Sequence, residues 1–236
     1  MVARAIPPDR FSQLIDVATK IFVARGYRLT QMADIADALG VAKGTVYGYV
    51  ESKEALFDAA VRFADGQTPV PEPSALPLST PAPGGTVGYI RERLMAEARE
   101  LAVVAALASP SASLEGPAEL EHIIRDLYRR MARNCRALKL VDRCAVDHPE
   151  LAAVWFDEGR WGQVALIGGY LERRIADGHL RAVPSVPIAA RMVLETIALW
   201  AIHMPWDPSP RPFVAADVEN AVVDMLVHAY AKESPR

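Results

Sequence analysis

The chain has 236 residues, 51% of them hydrophobic and 23% charged, with a formal net charge of −3. That balance suits a soluble globular protein with a substantial core, and the slight acidity excludes a global basic field for nucleic acid. No run approaches the ~20 uninterrupted apolar residues of a membrane span, and the opening MVARAIPPDR lacks the apolar stretch of a signal peptide; a cytoplasmic location without membrane contact is expected.

Apolar residues recur at helical spacing almost throughout, and no alternating run of β-branched residues competes. The first helix is expected over residues 9–25, with Phe11, Leu14, Ile15, Ala18, Ile21 and Phe22 on one stripe and Gly26 ending it. Thr30 is placed to cap a second helix over 31–39, Gly40 to end it, and a third follows over 42–49. Ser52 caps a fourth, with Leu56, Phe57, Ala60 and Val61 facing inward. Six prolines (69, 71, 73, 77, 81 and 83) then forbid regular helix between Gly66 and Gly85. That stretch reads as a poorly ordered linker, dividing the chain into residues 1–65, the linker 66–85, and a larger helical domain, 86–236.

Beyond the linker, helices are expected over 86–108, over 117–146 with a break, over 149–176 from Pro149, from Pro187 onward, and over 213–231. The carboxylates Glu115, Glu119 and Glu121 look like a solvated helix start. Cys135 and Cys144 lack metal or redox spacing and read as reduced, packed thiols, with a disulfide between them as the alternative.

The informative segment is MADIADALGVAKGTVYGYVE, residues 32–51. Ala36 is small where two helices cross, Gly40 supplies a turn that penalises a Cβ, and Ile35, Leu39, Val41 and Val46 pack inward. Any compact three-helix corner shares these positions, but they stand in helix-turn-helix register. The third helix adds an outward surface: Lys43, Thr45, Tyr47 and Tyr49 can bond phosphates or base edges, and Gly44 allows close approach. Lys53 opens the fourth helix, where a cation and free N–H groups suit a phosphate. From Lys20 to Lys53 five cations stand against three carboxylates, a local excess of two.

On LIDVATKIFVARGY, LTQMADIADALGVAKGTVYGYV and ESKEALFDAAV, the region from Phe11 to Val61 resembles the N-terminal domain of the TetR/AcrR family. The resemblance implies an all-α fold, with a three-helix DNA-binding domain followed by a helical ligand-binding and dimerisation domain. It implies that the third helix enters the major groove, with Thr30, Gln31, Lys43, Gly44, Thr45, Tyr47 and Tyr49 as DNA-binding residues and Lys53 on a phosphate. Residues 147–180, beginning DHPELAAVWFDEGRWGQ, resemble the second domain of AcrR-like members more loosely. That resemblance implies a homodimer on double-stranded operator DNA, built through a four-helix bundle of the last long helices. It also implies a small apolar or aromatic effector whose binding releases the DNA, with Tyr128, Met131, Trp155 and Trp161 as candidate lining residues.

No cofactor, metal site or catalytic residue is expected. GVAKGT lacks the Gly-Lys-Ser/Thr order of a phosphate loop, no G-x-S-x-G or H-E-x-x-H occurs, and the five histidines are scattered. The competing reading is a helical adaptor whose helix-turn-helix grips another protein.

Overall fold

The computed structural model describes residues 8–109, 116–209 and 211–232. The first seven residues of the expected N-terminal domain, and Glu115, lie outside them. Every regular element among the described residues is helical, and two isolated bridges pair Val50 with Leu78 and Leu180 with Ala231. The chain divides into two compact units, Met1–Ile90 with Arg136–Trp155, and Arg91–Cys135 with Phe156–Arg236.

The first unit is built on α1 (Pro8–Leu29), α2 (Met32–Leu39), α3 (Lys43–Tyr47) and α4 (Lys53–Phe63). Phe11, Leu14, Ala18 and Phe22 recur every three or four residues on α1 and are buried, as are Leu56, Phe57 and Ala60 on α4. The two stripes meet through edge-on aromatic pairs, Phe22 with Phe57 at 5.5 Å and Phe11 with Phe63 at 5.2 Å. Gly26, at φ 81 and ψ 169, breaks α1 as expected, although helical turns resume to Leu29.

The expected boundaries at residues 65 and 85 differ from the observed ones. A segment from far along the chain, comprising most of α8 (Cys135–Ala145) and all of α9 (Pro149–Ala152), belongs to the first unit. Asp65 caps it, accepting the N–H groups of Arg136 and Ala137 at 2.9 and 3.0 Å, while Leu140, Val141, Cys144 and Leu151 fill the core. Both cysteines are free, and burial pushes the Cys144 thiol up to about 12. The proline-rich stretch is not a free spacer either. Leu78 donates its N–H to the Tyr49 carbonyl at 2.8 Å and accepts from the Glu51 N–H at 3.0 Å.

The second unit contains α5 (Gly85–Arg99) from Arg91 onward, α6 (Ala102–Ala108), α7 (Gly116–Arg133), α10 (Trp161–Ala176), α11 (Val186–Ala198) and α12 (Ala215–Tyr230). The helix expected over 86–108 is two helices. No glycine or proline marks the break; Asp126 of α7 accepts the Ala102 N–H at 3.0 Å and Arg130 donates to the Glu100 carbonyl at 2.9 Å, so tertiary partners replace helical hydrogen bonds there. A π-helical stretch, Ala153–Arg160, leads into α10, so one continuous helical path runs from Pro149 to Ala176. Helix α7 packs on α12 and α11, and α10 packs on α11 and α6.

Glu119 is not part of a solvated helix start. It is almost fully buried and bonds Arg174 of α10 through Nε at 2.6 Å and Nη2 at 3.1 Å. The path from Val186 to Trp206 is the one run among the described residues long and apolar enough to cross a bilayer by length and composition. Its Val193 and Ile197 lie in the unit's core, and it carries Arg191 and Glu195.

Candidate nucleic-acid interface

Helix α2 is fixed at both ends. Gln31 donates its N–H to the Asp34 carboxylate at 2.9 Å, an N-cap arrangement one residue later than expected. Arg25 reaches from α1 to the same carboxylate at 2.7 Å, holding Asp34 below the usual carboxylate range. Gly40 closes α2 in the left-handed conformation, φ 64 and ψ 36, and Ala36 is buried at the crossing. Val46 is 1% exposed and pins α3 to this scaffold.

Pinning Val46 decides what α3 shows to solvent. Lys43, Gly44, Thr45 and Tyr47 are exposed, Tyr47 to 39%, and Lys43 Nζ lies 5.9 Å from the Tyr47 ring centre. Gln31 is exposed as well. A cation, two hydroxyls and an amide thus stand on the outer side of a helix-turn-helix, a set able to bond phosphates and base edges.

Two expected residues do not join them. Thr30 is fully buried and donates its hydroxyl to the Gly26 carbonyl at 2.7 Å, so it locks the turn between α1 and α2. Tyr49 is 7% exposed, because α3 ends at Tyr47 and the chain leaves helical register before reaching it. Lys53 is half-buried: its ammonium sits 4.5 Å above the Tyr27 ring and donates to the Tyr27 carbonyl at 3.1 Å. An ammonium carries three donors, so this bond leaves capacity for an anion. Tyr27 was not singled out from sequence. It donates to Glu54 at 3.0 Å, and burial together with that carboxylate raises its hydroxyl's pKa.

The candidate effector residues fall in both units. Tyr128 and Met131 are buried on α7. Trp155 belongs to the first unit, its indole N–H bonded to Asp142 at 2.8 Å, and Trp161 is 54% exposed, with the Arg191 guanidinium 4.9 Å from its ring. A small apolar pocket in the second unit is walled by Val103, Ile123, Leu127 and Ile167, with the stems of Gln163 and Asp126 completing the lining. The i, i+4 aliphatic pair Ile123 and Leu127 on α7 is the available signal, and it is the signal of any core.

Residues 14–60, the span that carries this geometry, match the family model described as bacterial regulatory proteins, tetR family. Those residues therefore form a TetR-family DNA-binding region. The N-terminal region is 42% identical over 53 residues to the HTH-type transcriptional repressor KstR2 of Rhodococcus jostii, covering 22% of this chain and 26% of that protein. The fatty acid metabolism regulator protein of Bacillus subtilis is 34% identical over 58 residues, covering 25% of this chain and 30% of that protein. The chain thus matches between a quarter and a third of the length of these curated relatives.

Beyond those residues, solved regulators share the fold. The ketosteroid transcriptional regulator KstR2 of Mycobacterium tuberculosis superimposes with a TM-score of 0.60 at 20% identity, over 99% of this chain and 100% of that one. AibR, solved with isovaleryl coenzyme A and operator DNA, gives 0.50 at 17% identity over 92% and 98%.

Proposed function

We propose that this chain is a ligand-responsive transcriptional repressor of the TetR family that binds a palindromic operator as a homodimer and lets go when a small apolar or aromatic effector occupies its second unit. The observation carrying this reading is the outward set Lys43, Thr45 and Tyr47 on α3, with Val46 locked beneath it. Gln31 at the start of α2 and Lys53 at the start of α4 are assigned phosphate contacts, and Gly44 close approach to the groove. Thr30 and Tyr49 act by packing. The reading assigns no catalysis, cofactor or metal, and a cytoplasmic location away from membranes.

Dimerisation has a physical motive and a candidate surface. One five-residue helix reads few base pairs, and a two-fold dimer doubles the readout on half-sites about 34 Å apart or a multiple. In the second unit α11 exposes Ile188 and Met192, with Leu199 on the same side eleven residues after Ile188; Val214, just before α12, and Met225 repeat that interval. Large apolar side chains in two exposed stripes mark an association surface, and a second copy is the partner assigned. Met192→Glu is expected to give a monomer by light scattering and to weaken operator binding at least ~100-fold. An unchanged dimer would move the interface elsewhere.

For the effector, AibR's isovaleryl coenzyme A makes short-chain acyl thioesters natural first probes, and the small apolar pocket beside Ile123 and Ile167 must widen to admit one. Release is then a shift between two dimer geometries with different effector affinity.

The deciding experiment titrates the protein against its own upstream intergenic DNA over a salt series, with Lys43→Ala and Tyr47→Ala in parallel. Each variant should bind about 10-fold or more weakly, and Lys43→Ala should flatten the log–log salt slope by about one. Equal, weak binding to unrelated DNA, indifferent to both variants and to a random-sequence selection, would replace this reading with the adaptor.

A further inference from the structure

We propose that the proline-rich segment, residues 69–84, is a brace that sets the position of the recognition helix α3 and of the α4 N-terminus. The proposal rests on the DNA-binding reading above.

Helix α3 cannot hold its own orientation. It has five residues, contains Gly44, is followed by Gly48, and its N-cap Ala42 offers no side-chain bond. Helices this short are far below the length that persists alone, and glycine lowers propensity further. Val46 anchors its inner side and buried Tyr49 and Val50 seat the segment joining α3 to α4, but the main chain from Tyr49 to Ser52 still needs partners to fix its path.

The brace does this by main-chain pairing. Leu78 lies beside Val50 in a parallel bridge, donating to the Tyr49 carbonyl at 2.8 Å and accepting from Glu51 at 3.0 Å. Two residues on, Thr80 donates its N–H to Glu51 Oε2 at 2.9 Å and its hydroxyl to Ser52 Oγ at 2.9 Å. Ser52 is the N-cap of α4 and accepts the Ala55 N–H at 3.1 Å. Just past its far end, in the first turn of α5, Thr86 donates to Asp58 of α4 at 2.9 Å. The brace therefore grips the chain just after the recognition helix and the cap beside Lys53, and the α5 start that follows it holds the middle of α4.

The prolines now have a mechanical sense. Each fixes φ near −65°, so the unbound segment samples few conformations and little entropy is lost on docking. A Gly/Ser segment of equal length would close the same loop and dock poorly. The segment between Gly66 and Gly85 contains no Lys or Arg, so direct phosphate attraction does not account for its place beside α3.

Glu51 separates the brace from simple electrostatics. It is an exposed carboxylate one turn from the DNA-facing residues, and phosphate repulsion alone makes its removal tighten binding. Glu51→Ala also removes the acceptor for Thr80, whereas Glu51→Gln removes the charge and keeps an acceptor. The brace predicts that Glu51→Gln binds operator at least as tightly as the native protein, while Glu51→Ala binds about 3- to 10-fold more weakly. Replacing residues 69–82 by Gly/Ser of the same length should weaken binding about 10-fold or more, with helix content and dimerisation unchanged. By hydrogen exchange, the Glu51 and Leu78 amides should be protected in the native protein and fast in the Gly/Ser chain. If the native protein binds operator and Glu51→Ala and the Gly/Ser chain bind as tightly, the brace is overturned. Native protein that binds no DNA at all overturns the underlying reading, and the brace with it.

Discussion

Replacing Arg174 with methionine is expected to destabilise the second unit by about 3–5 kcal/mol, because it leaves the Glu119 carboxylate buried without its partner. The Arg174 side chain is fully buried; it spans Glu119 in two hydrogen bonds and gives a third to the Ala106 carbonyl at 3.1 Å. One guanidinium thereby ties α10 to both α7 and α6, and its planar fork is the side chain that can serve three acceptors from one buried point. The loss should appear in calorimetry as a drop of about 10 °C in the second unit's transition. Replacing both partners, Glu119→Leu with Arg174→Met, should recover most of the stability, since an apolar pair of similar volume needs no desolvation of ions. A single variant as stable as the native protein would mean that water reaches Glu119 and that the pair is not a buried lock.

That lock was illegible in the sequence for a physical reason. Glu119 sits in the first turn of α7, where acidic residues are favoured on exposed helices because of the helix dipole. Its burial comes from a residue 55 positions away, beyond any local pattern. The helix-turn-helix was legible because its determinants are local: Ala36 at the crossing, Gly40 at positive φ, and Val46 pointing inward fall within eleven residues. Its outer face followed from the same register, as far as α3 extends. Tyr49 failed because the helix stops at Tyr47, and helix ends are decided by caps and partners more than by the apolar period. The proline-rich segment shows the same limit. Six prolines correctly rule out helix, but nothing local says that Leu78 pairs with the chain around Val50. Nor does any spacing reveal that residues 136–155 fold with the N-terminal helices, since that depends on Asp65 meeting the start of α8.

Gly26→Ala should cost the first unit about 3 kcal/mol, and the comparison with Gly40→Ala shows why. Both glycines have positive φ, 81° and 64°. Gly40 is in the left-handed helical well with open space around a Cβ, so alanine there meets only the intrinsic penalty of about 1 kcal/mol. Gly26 combines positive φ with an extended ψ of 169°, a region essentially closed to other residues and worth 1–3 kcal/mol of strain by itself. A Cβ there would also run into the ends of Asp147 and Arg143, which form an ion pair at 3.7 Å. Those flexible ends can swing aside, so backbone strain is the larger effect and loss of the pair the smaller. The damage should remain local to the first unit, because Gly26 accepts the Thr30 hydroxyl and precedes Tyr27, the residue that holds Lys53 and packs edge-on against His148 at 6.1 Å. Thermal melts of the two alanine variants should therefore separate by about 2 kcal/mol, with the second unit's transition unmoved. Equal melts would mean that the turn at Gly26 relaxes to an ordinary helical end, and that the contacts of Arg143 and Asp147 do not fix where α1 breaks.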